Sequence, residues 1–256
     1  MLSFNHFSKQ NYEDFLIIAH GLFGSKINWM TIAKFLSENL NYQIIVVDLR
    51  NHGSSFWSDN HNYLSMAQDL IELSRSFSKK VSLIGHSMGG KAAMYACLIN
   101  PEIFKKLVVV DISPVSYLET EFVHYIELLE KIDLHNLRSR KEADFELKTK
   151  ITNNSIRLFL LQNLFLGEDK KYKWKINLKS LKKNIENIKS FPKIQKNFEG
   201  STLFIKGEKS SYILEEHIKI INFFFPRFIL KEIKKSGHWP HVEQQKLFIK
   251  ELLDFF

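Results

Sequence analysis

A serine lies at the centre of the turn sequence GHSMG, at residues 85–89. A short apolar run precedes this turn and a helical pattern follows it. The order of strand, Gly-x-Ser-x-Gly turn and helix is typical of a strained turn that exposes a nucleophilic hydroxyl. Gly85 and Gly89 leave room for the two chain segments to approach each other. The pattern therefore predicts Ser87 as the nucleophile of an acyl-transfer reaction.

Two backbone N–H groups are candidates for stabilising the negative charge that such an attack places on the acyl oxygen. Met88 follows the nucleophile and begins the predicted helix, where an N–H can bind an oxyanion. Leu22 lies in a second glycine turn, at residues 20–24, directly after another apolar run. We predict that Leu22 is the second donor through its backbone; an ordinary glycine turn is the alternative interpretation.

A serine hydroxyl also needs a general base at neutral pH, and histidine is the usual one. Of the ten histidines, His20, His52 and His86 lie within turn motifs, where packing or orienting a loop is the favoured role. His238 lies between the last predicted strand and the last predicted helix. We predict His238 as the base, with His241 as the alternative.

The acid that orients the base has two candidates. Asp111 ends an apolar run, and Glu208 is the only carboxylate in the loop at residues 206–211. We favour Asp111 and keep Glu208 as the alternative acid. The resulting chain order of the triad is Ser87, Asp111, His238.

The elements that must position these residues are indicated by an alternation of short apolar runs with longer periodic segments. This alternation is typical of βα units and a mostly parallel sheet, and unbroken apolarity indicates strands buried on both faces. The predicted strands cover residues 15–19, 44–48, 81–84, 107–111, 203–205 and 228–230.

Helical patterns lie between these strands. One of them carries a capping box formed by Ser65 and Gln68. Asp48 also ends a predicted strand, but Arg50 close by offers an ion pair, so we interpret Asp48 as structural.

Residues 1–112 and 199–256 are predicted to form one α/β core, with residues 113–198 inserted as a helical lid. No convincing strand pattern is found in the insertion, whose apolar residues are helix-spaced. Residues 168–189 carry eight lysines against three acids. A solvated outer face is the favoured interpretation of these lysines, and attraction of an anionic substrate is the alternative.

Composition restricts the class of protein. The 256 residues are 45% hydrophobic, which excludes overall disorder, and the lone Cys97 excludes a disulfide scaffold. The apolar runs are too short for a membrane span, and the first residues lack a signal-peptide pattern, so a cytoplasmic location is expected. The net charge of +8 comes from 30 lysines and six arginines spread along the chain, which predicts no nucleic-acid partner.

Taken together, the motifs resemble those of the α/β-hydrolases, in particular the bacterial YbfF-type esterases and their eukaryotic abhydrolase-11 relatives. The matching segments are residues 20–25, 48–55, 85–91, 110–115 and 237–239. The resemblance implies an α/β-hydrolase fold, ester or thioester hydrolysis, and no metal or cofactor. It also implies that the acid is Asp111 and that Ser210 stands where most α/β-hydrolases carry Asp. Glu208 departs from the Gly that relatives show, so it stays a candidate.

The predicted function is therefore hydrolysis of small-molecule esters or thioesters with short-to-medium acyl chains, by a monomer or homodimer. The candidate pocket residues are His20, Phe23, Ser210 and Trp239. In the lid, Phe159, Leu160, Phe165 and Leu166 are candidates for either core or pocket.

Two other functions remain open at this point. A C–C bond hydrolase of the same fold would use the same serine and histidine. A non-catalytic small-molecule-binding homologue would keep the fold and is expected to lose a triad member. A dehalogenase is disfavoured because its nucleophile would be Asp in place of Ser87.

Replacing Ser87 by Ala should leave the fold intact and abolish turnover of p-nitrophenyl acetate and p-nitrophenyl butyrate, because the nucleophile is removed. Steady-state rates and circular dichroism of both proteins check this expectation. Near-wild-type activity of a folded Ser87→Ala protein would exclude the mechanism.

Overall fold

A computed structural model of the chain describes residues 1–9, 11–118 and 121–256. Its strands are β1 (Phe4–Phe7), β2 (Asp14–Ala19), β3 (Tyr42–Val47), β4 (Val81–His86), β5 (Phe104–Val110), β6 (Leu164–Leu166), β7 (Tyr172–Trp174), β8 (Ser201–Gly207) and β9 (Phe228–Ile233). Its helices are α1 (Met30–Asn39), α2 (Tyr63–Arg75), α3 (Met88–Ile99), α4 (Phe122–Glu130), α5 (Arg140–Lys148), α6 (Asn154–Leu161), α7 (Leu178–Lys183), α8 (Ile185–Lys189), α9 (Ile218–Phe224), α10 (Pro240–Glu243) and α11 (Gln245–Phe255).

Seven strands form one sheet in the order β1-β3-β2-β4-β5-β8-β9. All neighbouring pairs are parallel except β1 with β3, which is antiparallel. The inner strands β2, β4 and β5 are buried along most of their length because helices cover both faces of the sheet. This confirms the predicted mostly parallel sheet and all six predicted strands.

The first strand was not predicted. β1 is four residues long, and its burial alternates between exposed and half-buried positions. Such a short edge strand carries neither a continuous apolar run nor a strong alternation of polar and apolar residues. Its sequence, FNHF, therefore gives no clear strand signal.

Helices pack on both faces of the sheet. On one face, Ile32 of α1 and Leu252 of α11 share a buried cluster with the strand side chains that point to that face. On the other face, α3 lies against β4 and β5 through Ala92, Ala93 and Ala96, all fully buried. Small side chains here allow the helix that follows Ser87 to approach the sheet closely.

The start of α2 differs from the prediction. The helix begins at Tyr63, and its N-cap is Asn62, whose side-chain oxygen accepts the Ser65 N–H at 2.9 Å. The capping box of Ser65 and Gln68 is therefore wrong, because Ser65 already lies inside the first turn. Asn at the position before the first helical residue is an equally good cap.

The insertion contains α4 to α8 and, contrary to prediction, a two-stranded antiparallel sheet of β6 and β7. Its buried side chains, such as Ile126 and Leu181, belong to the same apolar cluster as those of α2 and α3. The insertion is thus packed onto the α/β core rather than standing apart from it. No helix in the described ranges is long and apolar enough to cross a membrane.

Candidate active site

The predicted nucleophile lies on a strained turn between β4 and α3. Ser87 has φ 51° and ψ −118°, outside the regions that a serine normally adopts. A Cβ atom on Gly85 would lie 2.3 Å from the Gly89 carbonyl oxygen, and one on Gly89 would lie 2.4 Å from the His20 carbonyl oxygen. Both positions therefore need glycine, as the sequence pattern predicts.

The three predicted triad residues come together at the carboxyl ends of the strands. His238, in the loop after β9, has its Nε2 atom 3.1 Å from Ser87 Oγ and its Nδ1 atom 2.7 Å from Asp111 Oδ2. A carboxylate only accepts, so Nδ1 carries the proton and Nε2 is free to accept from the serine hydroxyl. This is the hydrogen-bond chain that activates a serine nucleophile.

Asp111 is fully buried directly after β5. Its Oδ1 atom accepts the Gly207 N–H at 2.9 Å, and its Oδ2 atom accepts the Ser210 hydroxyl as well as His238. These donors compensate the burial of the carboxylate. Ser210 thus touches the acid and does not line either cavity at the triad, in contrast to its prediction as a pocket residue.

The alternative acid lies elsewhere. Glu208 is exposed, accepts the Lys235 N–H at 2.8 Å and pairs with Lys234 at 3.1 Å. The backbone hydrogen bond from Lys235, followed by Lys234, lowers the pKa of the Glu208 carboxyl. Since Asp111 already occupies His238 Nδ1, the geometry favours Asp111 over Glu208 as the acid.

The other histidines at this edge make structural contacts. His20 Nε2 accepts the Leu49 N–H at 3.0 Å, so its Nδ1 donates to the Gly21 carbonyl at 2.8 Å. His86 Nε2 donates to the His238 carbonyl at 2.8 Å. His241, the alternative base, stacks on Trp29 with ring centroids 4.3 Å apart.

Burial keeps two of these rings neutral. It lowers the pKa of His86 well below its ordinary value, and it lowers the pKa of His241 to about 3. The His86 ring packs against His238 with centroids 4.8 Å apart, and the His241 ring packs against His86 at 4.6 Å. Neither neutral ring places a fixed positive charge beside the predicted base.

The two candidate oxyanion donors flank Ser87. The turn before α1 is closed by a hydrogen bond of 2.9 Å from the Gly24 N–H to the Gly21 carbonyl. Within the described part of the chain, neither the Leu22 N–H nor the Met88 N–H has a hydrogen-bond acceptor. Both amides are therefore available to a substrate oxygen.

Two cavities meet at His238. The first has a volume of about 260 Å³ and mostly apolar walls. These walls are formed by Leu22, Phe23, His86, Ser87, Glu121, Phe122, Tyr125, Ile156, Phe159, Leu160, Tyr212, His238 and Trp239. The second is a cleft of about 650 Å³ with more polar walls, which include His20, Asn28, Asn153, Ser155, Gln162 and Glu243. Phe23 and Trp239 therefore line a cavity as predicted, and His20 lines only the cleft. Phe165 and Leu166 line neither one.

The ion pair predicted between Asp48 and Arg50 is wrong. Arg50 makes a bidentate pair with Asp69 of α2 at 2.6 and 2.7 Å. Asp48 instead accepts the Lys26 N–H at 2.7 Å and the Ser54 N–H at 2.9 Å. It still has the structural role that we expected, because it ties together the loops after β2 and β3.

Lys91 is the last residue of the matching segment 85–91, and its side chain connects two parts of the structure. Its side chain is 1% exposed, and its Nζ donates to the carbonyls of Lys189 and Ser190 at 2.9 and 2.7 Å. The ammonium lies over the Tyr117 ring at 4.7 Å. Lys91 thus connects the helix after the nucleophile to the end of the insertion.

Comparison with known proteins identifies the class. The family model for the alpha/beta hydrolase fold matches residues 14–245. The sn-1-specific diacylglycerol lipase ABHD11 of Danio rerio is 37% identical over 94% of this chain and 77% of that protein. Esterase YbfF of Escherichia coli is 31% identical over 93% of this chain and 91% of that protein. The chain therefore belongs to the α/β-hydrolase family.

Within that family, these relatives put the chain in the predicted branch of YbfF-type esterases and abhydrolase-11 proteins. A solved structure of a marine microorganism esterase is 40% identical, with a TM-score of 0.94, and covers 100% of this chain and 99% of its own. The predicted α/β-hydrolase fold is confirmed. Over the described residues, no group of three or more His, Cys, Asp or Glu side chains could hold a metal ion.

Lys91 should make stability depend on pH. Burial lowers the pKa of Lys91 to about 7, from 10.5 for a free side chain. Between pH 7 and 10.5 this lysine is protonated in the unfolded chain but largely neutral in the folded protein. The free energy of unfolding therefore rises with pH over this range, and the added stability is lost as pH falls towards 7. We expect the unfolding free energy of wild type minus that of Lys91→Met to grow by about 2 kcal/mol between about pH 7.5 and about pH 9.5.

Urea unfolding at the two pH values measures this difference. Lys34→Met, at an exposed position of α1, is the matched control and should leave the pH dependence unchanged. A wild-type minus Lys91→Met difference that stays constant over this range would contradict the prediction.

Proposed function

We propose that this protein is a serine esterase that hydrolyses carboxylic esters with short-to-medium, apolar acyl groups. The observation that carries the proposal is the hydrogen-bond chain from Asp111 through His238 to Ser87, at the wall of an apolar cavity. Relatives named as an esterase and as a diacylglycerol lipase support it. All three members of the triad are present, which argues against a non-catalytic binding protein.

Acyl transfer then proceeds in two steps. His238 takes the Ser87 proton as the hydroxyl attacks the acyl carbonyl, and the N–H groups of Leu22 and Met88 stabilise the oxyanion. His238 gives its proton to the leaving oxygen, which departs and leaves an acyl-enzyme. Water, deprotonated by the same imidazole, hydrolyses that ester. Asp111 holds the imidazole in the required tautomer throughout.

The two cavities suggest how the substrate lies. The first cavity contains Ser87 and is closed by apolar side chains, which suits the acyl chain. The cleft touches His238 but not Ser87, and its walls include amide and carboxylate side chains. Because His238 must protonate the leaving group, that group belongs on the cleft side. The polar walls of the cleft suit an alcohol as the leaving group. A thiol would leave through the same steps, so the proposed substrates include thioesters.

The lysine-rich surface of the insertion adds a second element to the proposal. Lys170, Lys171 and Lys179 are exposed, in keeping with a solvated face. We therefore place no substrate contact on this surface. We also propose a reducing, cytoplasmic location, because the single thiol, Cys97, is buried and unpaired.

A chain-length series tests the proposal. With p-nitrophenyl esters from acetate to decanoate, kcat/KM should rise with the first added methylenes, as apolar surface is buried, and fall once the chain exceeds the cavity. Turnover of strongly polar acyl groups alone would contradict it. A folded wild type without any ester or thioester turnover would favour C–C bond hydrolysis instead.

The acid assignment gives a matched pair of variants. Asp111→Asn should lower kcat by about 10⁴-fold, because the amide favours the wrong imidazole tautomer. Glu208→Gln makes the same chemical change at the exposed alternative and should leave kcat within about twofold. A larger loss in Glu208→Gln than in Asp111→Asn would reverse the assignment. Steady-state kinetics with p-nitrophenyl butyrate measure both.

A further inference from the structure

We propose that Asn163, a residue of the insertion, is a positioning residue that holds the turn at residues 21–24 in the conformation that presents the Leu22 N–H to the oxyanion. This inference rests on the proposed function, because it concerns the same acyl-transfer site. It gives the insertion a part in the chemistry beyond covering the cavity.

The turn has a conformation that its sequence does not favour. The Gly24 N–H bonds to the Gly21 carbonyl, so Leu22 and Phe23 are the two central residues of a β-turn. Phe23 has φ 61°, in the left-handed region where glycine or asparagine is preferred. A bulky side chain persists in this region only where the surrounding structure holds it there.

The insertion supplies that restraint. The Phe23 carbonyl accepts from Asn163 Nδ2 at 2.8 Å and from Gln162 Nε2 at 3.2 Å. Asn163 is 2% exposed, so its bond is protected from water. The Phe23 ring also packs against Phe122 and Tyr125, with centroids 6.2 and 6.4 Å apart.

Asn163 is itself firmly placed. Its N–H donates to the Leu160 carbonyl at 3.2 Å at the end of α6, and its carbonyl accepts the Lys175 N–H at 2.8 Å just after β7. The amide that reaches Phe23 therefore projects from a junction of helix and hairpin. The hairpin of β6 and β7, which the sequence did not predict, gains a function in this arrangement.

The restraint acts on the oxyanion donor through the backbone. Without Asn163 Nδ2, the Phe23 carbonyl is left with the longer bond from Gln162 Nε2. Phe23 can then return to a negative φ, and the peptide between Leu22 and Phe23 must rotate. That rotation changes ψ of Leu22 and shifts its backbone, including the N–H, which has no acceptor within the described ranges. The loss should fall on the transition state, where the oxyanion exists, and spare ground-state binding.

The test replaces the amide donor and reads the oxyanion site directly. Asn163→Asp and Asn163→Ala should each lower kcat for p-nitrophenyl butyrate by about 10- to 100-fold, less than the 10²–10³ for deleting a donor. KM should stay within about threefold, since ground-state binding is unaffected. Affinity for a trifluoromethyl ketone with the same acyl chain, which forms a tetrahedral oxyanion on Ser87, should fall by the same factor as kcat.

Asn184→Asp is the matched control. Asn184 is another asparagine of the insertion, and its Nδ2 donates to the Asp59 carbonyl of the core at 2.8 Å, away from the turn. The same substitution there should leave kcat and ketone affinity within about twofold of wild type. Thermal unfolding of every variant by circular dichroism shows that each protein compared is folded.

A second comparison separates positioning from general stabilisation. In a Phe23→Gly background the turn needs no restraint, because glycine adopts positive φ freely. In that background Asn163→Ala should lower kcat by less than about threefold, a smaller loss than the same substitution causes when residue 23 is Phe. An equal cost in both backgrounds would overturn the proposal, and so would Asn163 variants with wild-type kcat and ketone affinity. A folded wild type without esterase activity would instead refute the proposed function, and this inference with it.

Discussion

The burial of one carboxylate organises the whole site. Asp111 is fully buried and is held by hydrogen bonds from the Gly207 N–H, the Ser210 hydroxyl and His238. A buried charge needs such partners, since its desolvation is otherwise costly. These donors come from the end of β8, the loop after it and the loop after β9. Because β5, β8 and β9 are parallel, these segments follow the strands at one edge of the sheet. The proposed acid and base therefore depend on the fold for their contact.

The insertion makes contacts on several sides of the site. It closes the apolar cavity, receives Lys91 at the carbonyls of Lys189 and Ser190, and holds the Phe23 carbonyl with Asn163. These contacts reach the turn at residues 21–24 and the helix that follows Ser87. The insertion is therefore connected to backbone on both sides of the site, at Phe23 with its positive φ and at the helix that begins after Ser87.

Much of this could be predicted because it depends on local sequence. Buried parallel strands show as apolar runs, and the turn around Ser87 needs glycine at fixed positions. Asp111 and His238 could be chosen because strand ends share one edge. The ion-pair prediction failed because Arg50 pairs with Asp69 of α2, 19 residues away, and not with its near neighbour Asp48. The cap prediction failed locally, because Asn62 and Ser65 are both good cap residues and the helix begins directly after Asn62. The contact of Asn163 with Phe23 spans 140 residues and leaves no local signal.

The central claim is that Ser87 becomes acylated during turnover. Wild type mixed with p-nitrophenyl butyrate, quenched in acid within the first turnovers and digested, should give a butyrylated peptide with the modification on Ser87 by tandem mass spectrometry. A protein that releases p-nitrophenol steadily while Ser87 stays unmodified, or while another residue carries the butyryl group, would contradict the account.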